Sequence, residues 1–273
     1  MKNVATIIVN RNLPKVTNKL YSNLKKNNPV SDFFVLESGS DKKKLSKFCT
    51  WHANSESVKK NGLRFTRAIN YALYQLFLEK KFNSYEYFFF ITNDSVFSNY
   101  RIISRLSKFF KENEKLAILY PCSKYWGEKK LIKNKKIMFF YHIQGNALMI
   151  RKDFITSLID MEKPSKKNFL FDGENFRGYG LESELIAKAY SNNWAAGITN
   201  AAFVEHNETL LINNTQEIKT ENFDLSLRLY IEEGKRWMKK KYGFNSKWAM
   251  QMYVKNFYDK FFEFNPELKE FKI

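Results

Sequence analysis

Three short apolar runs in the N-terminal third of the chain end on clusters of side chains able to meet a polar ligand. Asn10-Arg11-Asn12 follows Ile7-Ile8-Val9, Glu37-Ser38-Gly39-Ser40-Asp41 follows Phe33-Phe34-Val35-Leu36, and Thr92-Asn93-Asp94-Ser95 follows Phe88-Phe89-Phe90-Ile91. Any one cluster reads as a turn, because Asn, Asp, Ser and Gly are turn formers. Three of them, each directly after an apolar run, would crowd carboxylates, amides and hydroxyls into one cleft. Farther on, Glu182 and Glu184 open a segment with helical apolar spacing. Two residues apart on a regular helix diverge by about 200°, so one carboxylate can face a cleft as a general base while the other meets the sheet or a substrate hydroxyl. Acidic decoration of a helix N-terminus is the simpler reading of the same pair. Of the three histidines, His52 and His142 sit in ordinary surroundings, whereas His206 ends the run Phe203-Val204-Glu205.

Side chains so distant in sequence need a frame that gathers them. Runs rich in β-branched and aromatic residues predict strands near Thr6–Val9, Phe33–Glu37, Tyr87–Thr92, Ala117–Pro121, Met138–His142, Ala147–Ile150 and Ala196–Phe203. Helical spacing between them predicts helices over Lys15–Lys26, Asn61–Lys80 (apolar at Leu63, Ala68, Tyr71, Ala72 and Leu76), Tyr100–Lys111 and Glu182–Ser191. The alternation is that of an α/β fold with a mostly parallel sheet flanked by helices, in which ligands bind at the carboxyl ends of the strands. From about Leu211 only helical pattern remains, broken by Gly243 into Phe223–Tyr242 and Ser246–Phe264. The expected organisation is therefore a domain over 1–210 and a C-terminal helical extension over 211–273.

The chain has 273 residues, 44% hydrophobic and 17% aromatic, which suits a large globular fold and excludes a disordered chain or a disulfide mini-protein. Its two cysteines, Cys49 and Cys122, form no CxxC pair, so zinc knuckles are unexpected and a reducing cytoplasm fits. The run Val4 to Val9 is too short for a signal peptide, and no apolar stretch is long enough to span a bilayer. Neither a G-x-G-x-x-G nor a P-loop follows the first strand. Lys and Arg number 46 against 28 Asp and Glu, a net charge of +18 that favours anionic partners. A nucleic-acid- or membrane-surface-binding module without catalysis is thus an alternative, weakened by lysines spread over nearly every helix, which marks solvated faces and leaves no nucleic acid expected as partner.

The strand-end clusters together resemble the cytoplasmic nucleotide-sugar transferases of glycosyltransferase family 2, which have the GT-A fold, over most of residues 4–207. The resemblance implies that Val9, Asn10 and Arg11 open the nucleotide pocket and that Glu37, where the family usually has Asp, meets the base. A hydrogen-bonding group is chemically apt there, since uracil or thymine presents one N–H between two carbonyls. Asn61-Gly62-Leu63-Arg64-Phe65, with Asn70 beyond it, resembles a helix start facing the nucleotide, so Asn61, Arg64 and Asn70 join the donor set. Thr92-Asn93-Asp94 stands in place of the family's Asp-x-Asp element, with Thr92 replacing the first Asp; Asp94 with His206 is implied as the ligand pair for Mn²⁺ or Mg²⁺. Gln144-Gly145-Asn146-Ala147-Leu148 resembles the strand walling the acceptor and donor-sugar side, to which Gly145, Asn146, Tyr179 and Glu184 are assigned. Aligned on Leu185, Glu182 takes the place of the catalytic base. The reaction implied by the resemblance is inverting glycosyl transfer from a nucleoside-diphosphate sugar to a glycan or lipid-linked glycan acceptor, as in bacterial capsule or lipopolysaccharide synthesis.

The C-terminal segment mixes cations and aromatics: Lys235-Arg236-Trp237-Met238-Lys239-Lys240-Lys241-Tyr242, then Trp248, Met252, Tyr253, Phe257, Tyr258, Phe261 and Phe262. Such a segment suits an anionic membrane surface at the inner face of the cytoplasmic membrane, and equally a stripe packed on the catalytic domain or a second subunit.

Overall fold

The first three expected strand runs share one physical reason for lying side by side: each is apolar on both faces, so each must be covered above and below. The computed structural model describes residues 2–125, 127–132, 135–143 and 145–273. In chain order its elements are β1 (Val4–Asn10), α1 (Pro14–Asn27), β2 (Ser31–Ser38), β3 (Cys49–Ala53), α2 (Glu56–Asn61), α3 (Arg64–Leu78), β4 (Tyr87–Thr92), β5 (Ser95–Phe97), α4 (Ile102–Glu112), β6 (Leu116–Cys122), α5 (Glu128–Ile132), β7 (Ile137–Phe139), β8 (Ala147–Arg151), α6 (Lys152–Leu158), α7 (Leu181–Ser191), β9 (Ala195–His206), α8 (Glu208–Asn213), α9 (Phe223–Tyr242) and α10 (Lys247–Phe264). Among the described residues the sheet has nine strands in the order β3-β2-β1-β4-β8-β6-β9-β5, with β7 also on β9.

β1 is parallel to both β2 and β4, with Ile7 opposite Phe34 on one side and Phe90 on the other. Phe88, Phe89, Phe90 and Ile91 are all fully buried. β8 runs antiparallel between β4 and β6, and β6 pairs with β9 in parallel. β9 is long enough to serve three neighbours: over its first half it pairs with β6 in parallel and with β7 antiparallel, and its end pairs antiparallel with β5, placing Ser95 opposite His206. The predicted strands all form, although the one expected over Met138–His142 covers only Ile137–Phe139. The single helix expected over Asn61–Lys80 is two, parted at Gly62. That residue has φ +72°, and a Cβ there would lie 3.0 Å from the Arg11 guanidinium, so glycine is required on both counts. Gln144 lies outside the described residues.

The C-terminal helices begin and end close to the predicted limits, and they join the same core as the sheet. Met250, Val254, Tyr258, Phe261 and Phe262 of α10 are buried. The Tyr258 hydroxyl donates to the Phe139 carbonyl at 3.0 Å, and its ring meets Tyr190 of α7 edge-on at 5.2 Å. At ~1.5–3 kcal/mol for each large apolar side chain buried, that contact is strong enough to hold α10 in place. The residues expected at a membrane surface therefore divide: Tyr258, Phe261 and Phe262 face inward, while Trp248 and Met252 are 67% and 64% exposed. Among the described residues no helix is long and apolar enough to cross a membrane.

Asp172 is one of the carboxylates that hold α9. Asp172 Oδ2 accepts from the Trp237 indole at 3.1 Å and pairs with Lys241 at 2.7 Å. Burial alone would raise this carboxyl; Lys241, the Glu174 amide and Trp237 outweigh it and hold the group down to about 2. A depressed folded-state value stabilises above the unfolded value and is lost as pH falls through the folded one. Solvent around Lys241 screens part of the pair, so Asp172→Asn should lower the unfolding free energy by about 1 kcal/mol at neutral pH. In denaturant titrations the gap between wild type and variant should narrow as pH falls below about 4 and be at most half its neutral size at about pH 2; a gap undiminished at pH 2 would remove the ion pair as its source.

Candidate active site

The three strand-end clusters meet through a chain of buried hydrogen bonds. Glu37, fully buried at the end of β2, accepts from Asn10 Nδ2 at 2.8 Å, from Ser40 Oγ at 2.5 Å and from the Ser46 amide at 2.7 Å. Asn10 then accepts from Asn93 Nδ2 at 2.8 Å, and Asn93 also reaches Thr17 at 3.2 Å. The ends of β1, β2 and β4 are thus locked together, and the turn carrying Asp94 is fixed between β4 and β5. Asn146 braces it from the other side: its carbonyl accepts the Thr92 amide at 3.0 Å, and its side chain donates to Ser95 at 3.0 Å.

A cavity of about 410 Å³ opens at these strand ends. Val9, Asn10, Thr92, Asn93 and Asp94 line it from the sheet, and Ser38, Asn61, Gly62, Arg64 and Phe65 line it from the α2–α3 side. His206, Glu208 and residues of the 211–226 segment complete it. The β5–β9 register brings His206 Nδ1 to 2.8 Å from Asp94 Oδ2. Burial disfavours the His206 imidazolium, but the carboxylates of Asp94, Glu208 and Glu182 more than offset this and raise its pKa above the ordinary value. The donor set of one hard oxygen ligand and one imidazole would suit Mn²⁺ or Mg²⁺, which would supply positive charge to a diphosphate there. Among the described residues no cluster of three or more His, Cys, Asp or Glu side chains converges.

Glu182, on the first turn of α7, takes a hydrogen bond from the Tyr120 hydroxyl at 3.3 Å and another from the Gly145 amide. Burial pushes its carboxyl up to about 7, against the opposing pull of those two donors and of His206. A carboxyl poised there can accept a proton at neutral pH, as a general base must. Gly145 is needed for this approach: a Cβ would lie 2.9 Å from the Tyr120 ring.

No protein-family model matches the sequence, and no curated protein sequence matches it. Solved structures do. GalNAc-T7 with UDP, GalNAc and Mn²⁺ matches with a TM-score of 0.55 at 11% identity, over 96% of this chain and 56% of that one. The fold is GT-A. A mycobacterial protein matches with a TM-score of 0.53 at 10% identity, over 87% of this chain and 74% of its own. The mannosyltransferase PcManGT from Pyrobaculum calidifontis, in complex with GDP-Man and Mn²⁺, matches with a TM-score of 0.47 at 10% identity, over 72% of this chain and 54% of that one. The chain spans little more than half the length of two of these three structures.

Within the GT-A frame the remaining sequence-expected residues separate. Arg11 borders the cleft, yet its guanidinium is fully engaged with carbonyls: Ile218 at 2.5 Å, Ser38 at 2.8 Å, Val58 and Lys59 at 2.9 Å, and Lys60 at 3.3 Å. It caps the C-terminus of α2 and is not available to a phosphate. Glu37 lies beneath the cleft as its brace. Asn70 is turned toward 167–171, accepting the Leu170 and Phe171 amides at 2.8 Å and donating to the Lys167 and Phe171 carbonyls. Glu184 points to α9, where it pairs with Lys241 at 2.7 Å and accepts from Tyr242 Oη at 2.5 Å. Tyr179 packs edge-on against Tyr230 at 5.0 Å. Sequence reasoning missed Tyr120, which looks like one more strand aromatic, and the 211–226 segment, whose helical pattern says nothing about the cleft it borders.

Removing the Glu37 carboxylate would leave three buried donors without an acceptor. Glu37→Ala should cost about 3 kcal/mol of stability and Glu37→Gln distinctly less, read from denaturant midpoints. An Ala variant as stable as wild type would deny the carboxylate its organising role.

Proposed function

We propose that the protein transfers a sugar from a nucleoside-diphosphate sugar to an acceptor hydroxyl, with inversion at the anomeric carbon. The observation that carries this reading is the Asp94–His206 pair in the cleft of a GT-A fold, together with a Glu182 carboxyl that burial pushes up to about 7 and whose charge is felt at His206. GalNAc-T7, of the same fold, has a structure with UDP, GalNAc and Mn²⁺, which supports a nucleotide and a divalent metal here.

In this reading Val9, Asn10, Asn61, Arg64, Thr92 and Asn93 hold the nucleotide. Asp94 and His206 hold Mn²⁺ or Mg²⁺, which supplies charge neutralisation to the departing diphosphate. Glu182 takes the proton of the acceptor hydroxyl as that oxygen attacks the anomeric carbon and the bond to the diphosphate breaks. Tyr120 and the Gly145 amide keep the Glu182 carboxylate oriented. The Tyr120 phenol, whose pKa burial and Glu182 raise well above the ordinary value, remains a donor throughout.

A melting screen of UDP, GDP, dTDP and CDP, with and without Mn²⁺, tests the donor site, because a ligand that binds only the native state raises its melting temperature. One nucleotide should stabilise the protein in a metal-dependent way, and Asp94→Ala or His206→Ala should each abolish the metal increment. Unchanged, chelator-insensitive binding in both variants would place the metal elsewhere.

Glu182→Gln should retain nucleotide binding and lose about 10²–10⁴-fold in transfer rate. Only the ionised carboxyl accepts a proton, so the wild-type kcat/KM should rise with pH through about 7 and then level. Full turnover in the Gln variant, or a flat profile between pH 5 and 8, would move the base to another residue.

A further inference from the structure

A second hollow of about 230 Å³ adjoins the donor cleft and shares Arg64, Phe223 and Ser226 with it; Arg177, Leu227 and Tyr230 complete its lining. Its polar character comes from two guanidiniums that converge on one carboxylate. Arg64 Nη2 lies 2.9 Å from Glu221 Oε2, Arg177 Nη1 lies 3.4 Å from the same oxygen, and Arg177 Nη2 bonds Glu221 Oε1 at 2.5 Å. The Arg177 side chain is only 11% exposed, so the fork is a built feature of the wall.

The cluster holds more cation than this carboxylate can satisfy. Arg64, Arg67 and Arg177 all lie over the Phe176 ring, at 5.6, 4.8 and 5.9 Å. Facing them are Glu221 and Glu233, the latter 3.7 Å from Arg177 Nε. The Nε groups of Arg64 and Arg67 are buried with no hydrogen-bond partner. A guanidinium fork with buried donors to spare suits an oxyanion.

Position relates the hollow to the chemistry. Arg177 stands on the loop that leads into α7, five residues before Glu182, and Tyr230 packs edge-on against Tyr179 of the same loop. Glu221 belongs to a segment held without it: Arg11 takes the Ile218 carbonyl at 2.5 Å, Asn12 takes that of Glu217 at 2.6 Å, and Lys219 pairs with Asp41 at 2.6 Å. The carboxylate can therefore leave the arginines while the segment stays anchored.

We propose that this hollow receives an anionic group of the acceptor, a phosphate or a carboxylate held by Arg64 and Arg177, and that Glu221 fills its place in the free chain. The proposal rests on the glycosyl-transfer reading for the word acceptor. The anion site itself follows from the arginines alone. A tethered carboxylate competes with an incoming anion and lowers its apparent affinity, so removing it should tighten binding. Forked recognition also separates arginine from lysine, whose ammonium cannot present two parallel donors.

Calorimetric titration of the full chain with glycerol 3-phosphate, glycerate, inorganic phosphate and uncharged glycerol, each with and without UDP and Mn²⁺, tests this. Glycerol 3-phosphate or glycerate should bind where glycerol does not, which also tells phosphate from carboxylate. Glu221→Gln should bind that anion at least tenfold more tightly. Arg177→Gln should bind it at least tenfold more weakly, and Arg177→Lys should fall between, while UDP affinity matches wild type in both. Equal responses to glycerol and the anions, no tightening in Glu221→Gln, or a loss of UDP affinity in Arg177→Lys equal to the loss of anion affinity would each overturn the proposal. If none of UDP, GDP, dTDP and CDP binds with Mn²⁺ while the anion response follows the arginines, the glycosyl-transfer reading fails and the anion site stands.

Discussion

Glu37 is fully buried, and among the described residues no cation pairs with it. A carboxylate in that position is tolerable only if its oxygens are filled by well-placed donors, because an unsatisfied buried charge costs several kcal/mol. Its donors come from the end of β1, from its own strand's turn and from the loop beyond, so satisfying one charge fixes three backbone segments at once. Asn10 is held by it, Asn93 is held by Asn10, and Asp94 is the next residue. The cleft is therefore organised from beneath, by a group that does not itself face the ligand space.

The sheet supplies the other half of the constraint. β9 pairs with β6 as far as Phe203, across a bulge after Thr199, and continues to His206, turning its final residues onto β5. The register shift between Pro121 and Cys122 accommodates that change of partner. A two-strand ribbon at the mouth of the sheet is thus what carries the imidazole across to Asp94. On the opposite wall, antiparallel β8 between β4 and β6 brings Gly145 and Tyr120 together under α7, so that the Glu182 carboxyl is gripped by donors from two strands. The metal-ligand pair and the base come from different ends of the sheet and share no sequence neighbourhood.

The sequence exposed the frame better than the contacts. Apolar runs of strand length made seven of the strands legible, and the limits of α9 matched the pattern, since both rest on local periodicity. β5, three residues long, carries no period to read, and yet it positions His206. The strand-end clusters correctly pointed to one cleft, because parallel topology leaves them nowhere else to go. Which members face it depended on rotamers and partners: Arg11, Glu37 and Asn70 have the residue types of ligand binders and act as braces instead. Glu182 and Glu184 illustrate the same division, since spacing said that they diverge and only the docking of α9 decided which one turns away. The spacing of the aromatic stripe on α10 allowed packing on the catalytic domain as well as a membrane surface, and only the tertiary contact with α7 decided between them.

The net charge of +18 looks at first like the signature of a polyanion binder, and the disposition of the cations argues otherwise. Arg11 is engaged by carbonyls, and Arg151 likewise takes those of Phe110, Asn113 and Leu116, capping α4. These guanidiniums offset the unpaired carbonyls of helix ends rather than addressing a ligand. Lys2, Lys44 and Lys219 form ion pairs at the surface, where solvent screens them. The lysines left in solvent raise the potential around the molecule, which speeds the arrival of any anionic substrate without choosing among them. Choice requires fixed, partly dehydrated donors, and the described residues provide that combination where Arg64 and Arg177 meet at the edge of the cleft. Charge draws anions to this protein, and geometry at two arginines selects among those that arrive.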